Sequence, residues 1–230
     1  MKYKAGWQAL LLAGSFFCLI NSPANGKERS ASEPSISQVA VDPYTFESDV
    51  NFVSDYAPLA EDGDIYVVVE IPTGSNAKWE VTKPDGKLRW EFKKGKPRVV
   101  KYIGYPGNYG MVPRTLLSKS SGGDGDPLDV IVLSPAVDRG SVIKAKLIGV
   151  LRLLDRGERD DKLIAVQVGT PLYAANSIEE LRDEFPGVTE IVEIWFSNYK
   201  GPGKMKSLGY GDKKQAREAL QESIEAFGQQ

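Results

Sequence analysis

Asp124, Asp126 and Asp129 fall within six residues, in the stretch DGDPLDVIVL that runs from Asp124 to Leu133. Like charges at this spacing repel, and carboxylates are costly beside an apolar run that reads as a buried strand. A solvated loop has no need of three carboxylates abutting VIVL, so the cluster calls for a cation. An EF-hand loop would carry glycine at its sixth position and a carboxylate at its twelfth, where this chain has Asp129 and Pro135. Carboxylates without His or Cys partners favour a hard divalent ion, Mg²⁺ or Mn²⁺, that keeps several waters. Pro127 stops a helix from running through the motif and leaves an extended loop on which Asp124 and Asp126 can aim together.

Further charged and aromatic groups stand beside apolar runs. Glu70 interrupts IYVVVEI, and Lys78 and Glu80 are two residues apart in KWEV, on one face of a strand. Tyr105 and Tyr109 flank a Pro-Gly loop, with Arg98 shortly before them. Asp155, Asp160 and Lys162 lie between two apolar runs, and Tyr199 and Lys200 close a helix. Taken singly, each has a plainer reading: a strand-end charge, a solvated strand face, a turn with two packed rings, a hairpin tip, a helix-end cation. Together, an acidic cluster, a hard metal and a ring of Lys, Arg and Tyr suit an anion with many charges, hence phosphoryl chemistry.

Composition narrows the chemistry. The net charge of −2 gives no reason to expect nucleic acid or an acidic membrane surface as a partner. Lys2 and Lys4, an apolar run from about Ala9 to Ile20 and small residues at Ala24-Asn25-Gly26 have the layout of a secretory signal peptide over residues 1–26. The apolar core is short for a membrane span, and Phe17 before Cys18 does not suit a lipoprotein signal. The expectation is an exported protein, periplasmic or secreted, with no membrane association after cleavage. Cleavage would remove Cys18, the only cysteine, from a chain that has no histidine. Disulfides, Cys/His metal sites and Ser–His or Cys–His nucleophiles are then excluded.

The elements that must position these groups come in two blocks. Residues 27–45 are polar and read as a flexible lead-in. Strands are expected at Ile65–Ile71, 78–81, 98–103, Leu128–Leu133, Val142–Leu151 and Leu163–Val168, with a hairpin turn at Lys83-Pro84-Asp85-Gly86 and a loop over YPGNYG. Helices follow: one behind the capping pair Ser177 and Glu180, one placing Val188, Ile191, Ile194 and Trp195 on a single face, and one behind Asp212 and Gln215 with Ala216, Ala219, Leu220, Ile224 and Phe227 at amphipathic spacing. Strands first and helices afterwards indicate one α+β domain over residues 46–230, with a barrel-like or strongly bent sheet.

From about Tyr56 onward the chain resembles the family I soluble inorganic pyrophosphatases. DGDPLDVIVL matches that family's D-x-D-P-x-D signature, and EIPTGSNAKWE, YPGNYG, LLDRGERDDK and SNYKGPGK match further segments in order and spacing. The resemblance implies a distorted five-stranded oligonucleotide-binding-like β-barrel flanked by helices. It implies Mg²⁺-dependent hydrolysis of pyrophosphate to two orthophosphates by a metal-bridging water, without a covalent intermediate. Several ions are implied, with Mn²⁺ or another divalent cation as alternatives. Asp124, Asp129 and Asp160 would hold the tight metal, and Asp155, Asp160 and Glu70 those arriving with substrate. Asp126 would be the general base. Lys78, Arg98, Tyr109, Lys162, Tyr199 and Lys200 would grip the phosphates, supported by Glu80 and Tyr105. The spacing from Arg98 to Tyr105 is one residue shorter than in some bacterial relatives, which keeps Lys96 and Lys101 as alternatives to Arg98. A homo-oligomer, by resemblance a hexamer, is expected, although interface histidines of some hexameric members have no counterpart. Two other functions fit the same residues: hydrolysis of other phosphoanhydrides such as nucleotides or short polyphosphates, and non-catalytic phosphate binding.

Overall fold

The computed structural model describes residues 39–119 and 123–229. The expected signal peptide, residues 1–26, lies outside the described residues. The ordered sheet begins with β1 (Val39–Asp42) and β2 (Thr45–Glu47), so the end of the expected lead-in is strand. These two join β5 (Leu88–Trp90) and β4 (Trp79–Val81) in a four-stranded sheet of order β1-β2-β5-β4, and β4 and β5 form the expected hairpin. A two-stranded ribbon, β6 (Phe92–Lys93) and β7 (Lys96–Pro97), follows.

The main sheet closes on itself. β3 (Ile65–Ile71) pairs antiparallel with β8 (Asn108–Met111), and β8 with β9 (Asp129–Leu133). β9 runs parallel to β12 (Lys162–Gln167), which is antiparallel to β10 (Val142–Asp155). The start of β10, Val142–Ala145, returns to β3 and completes a five-stranded barrel. Breaks in register near Ile148 and Arg152 bend β10, so its far end can pair with β11 (Glu158–Arg159) and β13 (Met205–Gly211) instead. This is the distorted barrel expected of the chain.

The inner core is supplied by β3, β9, β10 and β12, with Val112 just after β8, and includes Val67, Val69, Val130, Val132, Ala145, Leu147 and Ala165. Ala216 and Leu220 of α3 (Lys213–Gly228) cover it. The opposite faces of β9, β10 and β12 bury Ile131, Ile164 and Leu151 against α1 (Ile178–Glu184) and α2 (Val188–Asn198). A third cluster fills the space between Val68 and Met111 and the four-stranded sheet, around Phe52, Trp79 and Leu88. The strands read as continuous apolar runs because most are covered on both faces.

Local signals hold at helix starts. The Asp212 side chain accepts from Gln215 N and the Gln215 side chain accepts from Asp212 N, a complete capping box. At α1, Ser177 accepts from Glu180 N, but the Glu180 carboxylate turns back to Asn176 N at 2.7 Å rather than to Ser177. Other expectations are corrected. Residues 98–103 are not a strand: their neighbour is the loop after Pro72, which offers one bridge, Ala77 to Val99, and a bond from Val100 N to Asn76 O. The expected YPGNYG loop ends early, because Asn108–Met111 is the fully buried strand β8. The buried face of α2 is Thr189, Val192, Trp195 and Phe196, whereas Ile191 and Ile194 are each 59% exposed. No described helix is long and apolar enough to cross a membrane.

Candidate active site

The acidic loop and the barrel rim meet where β9 and β12 begin. Their parallel register sets Leu163 beside Val130, so the residues that open the two strands, Lys162 and Asp129, stand side by side. Lys162 Nζ lies 2.5 Å from Asp129 Oδ2 and 2.6 Å from Asp160 Oδ1. Asp160 lies two residues before Lys162, on the same side of the chain, and its N–H is anchored on Leu153 O at 2.9 Å. Lys200, just beyond α2, extends the series: its Nζ is 2.8 Å from Asp155 Oδ2 and 3.4 Å from Asp160 Oδ2. Acid and base therefore alternate from Asp129 through Lys162, Asp160 and Lys200 to Asp155. Burial disfavours the charge of Asp129, but Lys162 and Lys78, with a hydrogen bond from Tyr109, hold its carboxyl below the usual range. Asp155 is held low against burial chiefly by its bond to Lys200. Lys200 itself is pushed up: burial opposes its charge, and Tyr199 and Asp155 outweigh burial.

The other wall comes from β3, β4 and the aromatic loop. Glu70 sits where the β3–β8 register breaks between Val69 and Ile71, an irregularity that re-aims its side chain. Its Oε1 accepts from Val81 N at 2.7 Å, and burial raises its pKa to about 8 against the pull of Lys78. Lys78 immediately precedes β4, and its ammonium stands over the Tyr109 ring at 5.1 Å. Glu80 is raised by burial, eased by Lys78, and feels both Asp126 and Arg98. Arg98 Nη1 binds Glu91 Oε2 at 2.5 Å, whereas Lys96 and Lys101 are exposed. Burial opposes the Arg98 charge, but Glu91 outweighs it, with Tyr105 and Tyr199 adding to the field. Tyr105 and Tyr109 are buried, and burial pushes both phenols well up. Tyr105 lies against Trp195 at 4.3 Å, and Tyr199 stacks on the same indole at 4.6 Å.

Thus the structure gathers Glu70, Lys78, Glu80, Arg98, Tyr105, Tyr109, Asp126, Asp129, Asp155, Asp160, Lys162, Tyr199 and Lys200 around one site. Asp124 is exposed on the loop, and its Oδ1 accepts from Asp126 N at 2.8 Å. Gly125 makes that tight turn at φ +85°, a conformation that favours glycine. Among the described residues, no three Asp, Glu, His or Cys side chains stand close enough to share one ion. Lys162 lies between Asp129 and Asp160, and Lys200 between Asp160 and Asp155. The donor set nonetheless suits a hard divalent cation: every acidic group is a carboxylate, and Asp155 Oδ1 is buried with no hydrogen-bond partner.

Three contributors had no usable sequence signal. Lys83, in the β4–β5 turn, reaches Asp126 at 2.7 Å. Glu91 pairs with Arg98. Arg139 stacks on Trp79 at 4.6 Å and donates to Glu70 O at 2.9 Å, tying β3 to the β4 strand that carries Glu80.

The inorganic pyrophosphatase family profile matches residues 67–228, which span every group just described. The chloroplastic soluble inorganic pyrophosphatase 1 of Chlamydomonas reinhardtii is 37% identical over 73% of this chain and 66% of its own length. The human inorganic pyrophosphatase is 38% identical over 63% of this chain and 56% of its own. The chain thus spans under two thirds of these curated relatives. Among solved structures, the Helicobacter pylori inorganic pyrophosphatase superposes with a TM-score of 0.64 at 32% identity, covering 76% of this chain and 99% of that one. The Schistosoma japonicum inorganic pyrophosphatase gives 0.72 at 28% identity, covering 77% and 71%. A profile that takes in most of the chain, on a barrel whose rim carries the alternating acid–base series, makes this protein a member of the inorganic pyrophosphatase family.

Proposed function

We propose that the chain hydrolyses inorganic pyrophosphate to two orthophosphates by direct attack of water. The observation that carries this reading is the alternation Asp129–Lys162–Asp160–Lys200–Asp155 beside the buried, unpartnered Asp155 Oδ1. Glu70, Asp129, Asp155 and Asp160, with Asp124 from the loop, would hold magnesium. When bound, the ions screen the charge of the phosphates and make a coordinated water more acidic. Lys78, Arg98, Lys162 and Lys200 present cations to a highly charged anion, and the Tyr109 and Tyr199 hydroxyls add donors to its oxygens. Asp126 is exposed on the loop and takes the proton of the attacking water. The water oxygen bonds to one phosphorus, the bridging P–O bond breaks, and the leaving orthophosphate keeps the electron pair. The chain has no histidine, and its one cysteine, Cys18, falls in the segment read as a signal peptide, which agrees with a route lacking a covalent intermediate.

Phosphate release from pyrophosphate, ATP and tripolyphosphate with Mg²⁺ tests the assignment. Pyrophosphate is expected to be by far the best substrate, and a preference for ATP or tripolyphosphate would sink it. Asp126→Asn should keep the fold while costing about 10²–10⁴ in kcat. The protein is proposed to assemble as a homo-oligomer through the exposed Ile191 and Ile194 of α2. Sedimentation of the Ile191→Ser/Ile194→Ser double variant, expected to shift toward monomer, tests that. Export is proposed from the layout of residues 1–26, and N-terminal sequencing of protein recovered outside the cytoplasm tests it.

A further inference from the structure

Lys83 leaves the turn of the β4–β5 hairpin and crosses to the acidic loop. Its Nζ stands 2.7 Å from Asp126 Oδ1 and also donates to the carbonyl oxygen of Gly125. The loop backbone is already pinned on its far side. Gly125 N donates to Leu117 O at 2.8 Å, and Leu117 N donates to Asp126 O at 2.8 Å. Those bonds fix the main chain of residues 125 and 126 but leave the Asp126 side chain, 61% exposed, free to turn about its own bonds. An ammonium with three donors can hold a carboxylate oxygen and the preceding carbonyl at once. This is the constraint that the backbone does not supply.

We propose that Lys83 is a positioning residue for Asp126. It holds Oδ1, so the carboxylate is presented with Oδ2 available to the attacking water. The proposal rests on the reading of Asp126 as general base. Because the pair is solvent-exposed, it adds little to stability. Its value lies in orientation, since loss of alignment between reacting groups slows a reaction without unfolding the protein.

The test uses Lys83→Met, Lys83→Arg, Asp126→Asn and the Lys83→Met/Asp126→Asn double variant, with kcat and KM for pyrophosphate at saturating Mg²⁺. Melting temperature and Mn²⁺ affinity by electron paramagnetic resonance are followed in parallel. Lys83→Met should lower kcat about tenfold with KM within about twofold, and Lys83→Arg should restore most of the loss. Mn²⁺ affinity and melting temperature should not move. The double variant should be no slower than Asp126→Asn alone, because Lys83 acts through that carboxylate. Unchanged kcat in Lys83→Met, a raised KM at full kcat, a fall in kcat that tracks a loss of Mn²⁺ affinity, or additive losses in the double variant would each overturn the proposal. The base assignment fails separately, and the proposal with it, if Asp126→Asn turns over pyrophosphate at the wild-type rate.

Discussion

Lys162 is the member of the site whose removal has the most calculable consequence. Its side chain is 3% exposed, and its ammonium lies between Asp129 at 2.5 Å and Asp160 at 2.6 Å. Lys162→Met keeps most of the apolar stem and deletes the charge, which leaves two carboxylates facing each other at the barrel rim. Removing one partner of a buried ion pair costs about 3–5 kcal/mol. Asp129 and Asp160 keep 28% and 21% of their side-chain surface, so solvent screens part of the cost and about 2–4 kcal/mol is the working figure. At roughly 2–4 °C per kcal/mol for a domain of this size, the melting temperature in chelator should fall by about 5–15 °C. Direction with pH is a second handle. In the wild type the folded pKa of Asp129 is depressed, so its contribution is present above its unfolded value of about 4 and is lost as pH falls through the folded value. Without Lys162 the burial of Asp129 is opposed less, its pKa rises, and the destabilisation should shrink toward pH 4 as Asp129 accepts a proton. Mg²⁺ should narrow the gap at neutral pH by replacing the missing charge. Scanning calorimetry of both proteins, with and without Mg²⁺, reads all three effects. A variant that melts within about 2 °C of wild type in chelator, or a gap that persists at pH 4, would refute the electrostatic account.

Other residues give separate checks. The folded pKa of Glu70 is raised to about 8, so in chelator the wild type should lose stability as pH rises from about 4.5 to 8. Glu70→Gln can still accept from Val81 N and should lack that loss; urea melts at pH 6 and 8 that change equally in both proteins would argue against it. At Gly104 a Cβ would stand 2.1 Å from the Gly74 carbonyl oxygen, where backbone meets backbone. Gly104→Ala should part the loop after Pro72 from the Tyr105 loop, breaking Gly74 N to Tyr105 O and Tyr105 N to Ser75 O, with a loss of about 2 kcal/mol or more. An unchanged denaturation midpoint would show that the loops can give way. Replacing Arg139 with Met removes its bond to Glu70 O and its contact with Trp79, and should cost about 1–2 kcal/mol in the same assay.

Residue type and local spacing were enough to name the chemical groups. Asp124, Asp126 and Asp129 announce themselves because carboxylates are improbable beside VIVL, and the helix caps at Ser177 and Asp212 are legible because each is made within a few residues. The strand Ile65–Ile71 shows in its apolar run and Val142–Leu151 in its alternation, because their partners cover them. What depends on residues distant in the chain was not legible. β13, MKSLGYG, has no apolar period, and it is a strand because the bent end of β10 offers it an edge. β8 reads as part of a loop from the Pro and Gly of YPGNYG, yet β3 and β9 enclose it. Ile191 and Val192 are equally apolar, and only the position of the barrel decides which side of α2 faces inward. The same holds at the site. Sequence alone determined which side chains were available for a polyanion and its metal. The parallel register of β9 and β12 decided that Lys162 pairs with Asp129, and the reach of a hairpin decided that Lys83 holds Asp126. Charge and periodicity are properties of neighbours in the chain, whereas pairing belongs to neighbours in space.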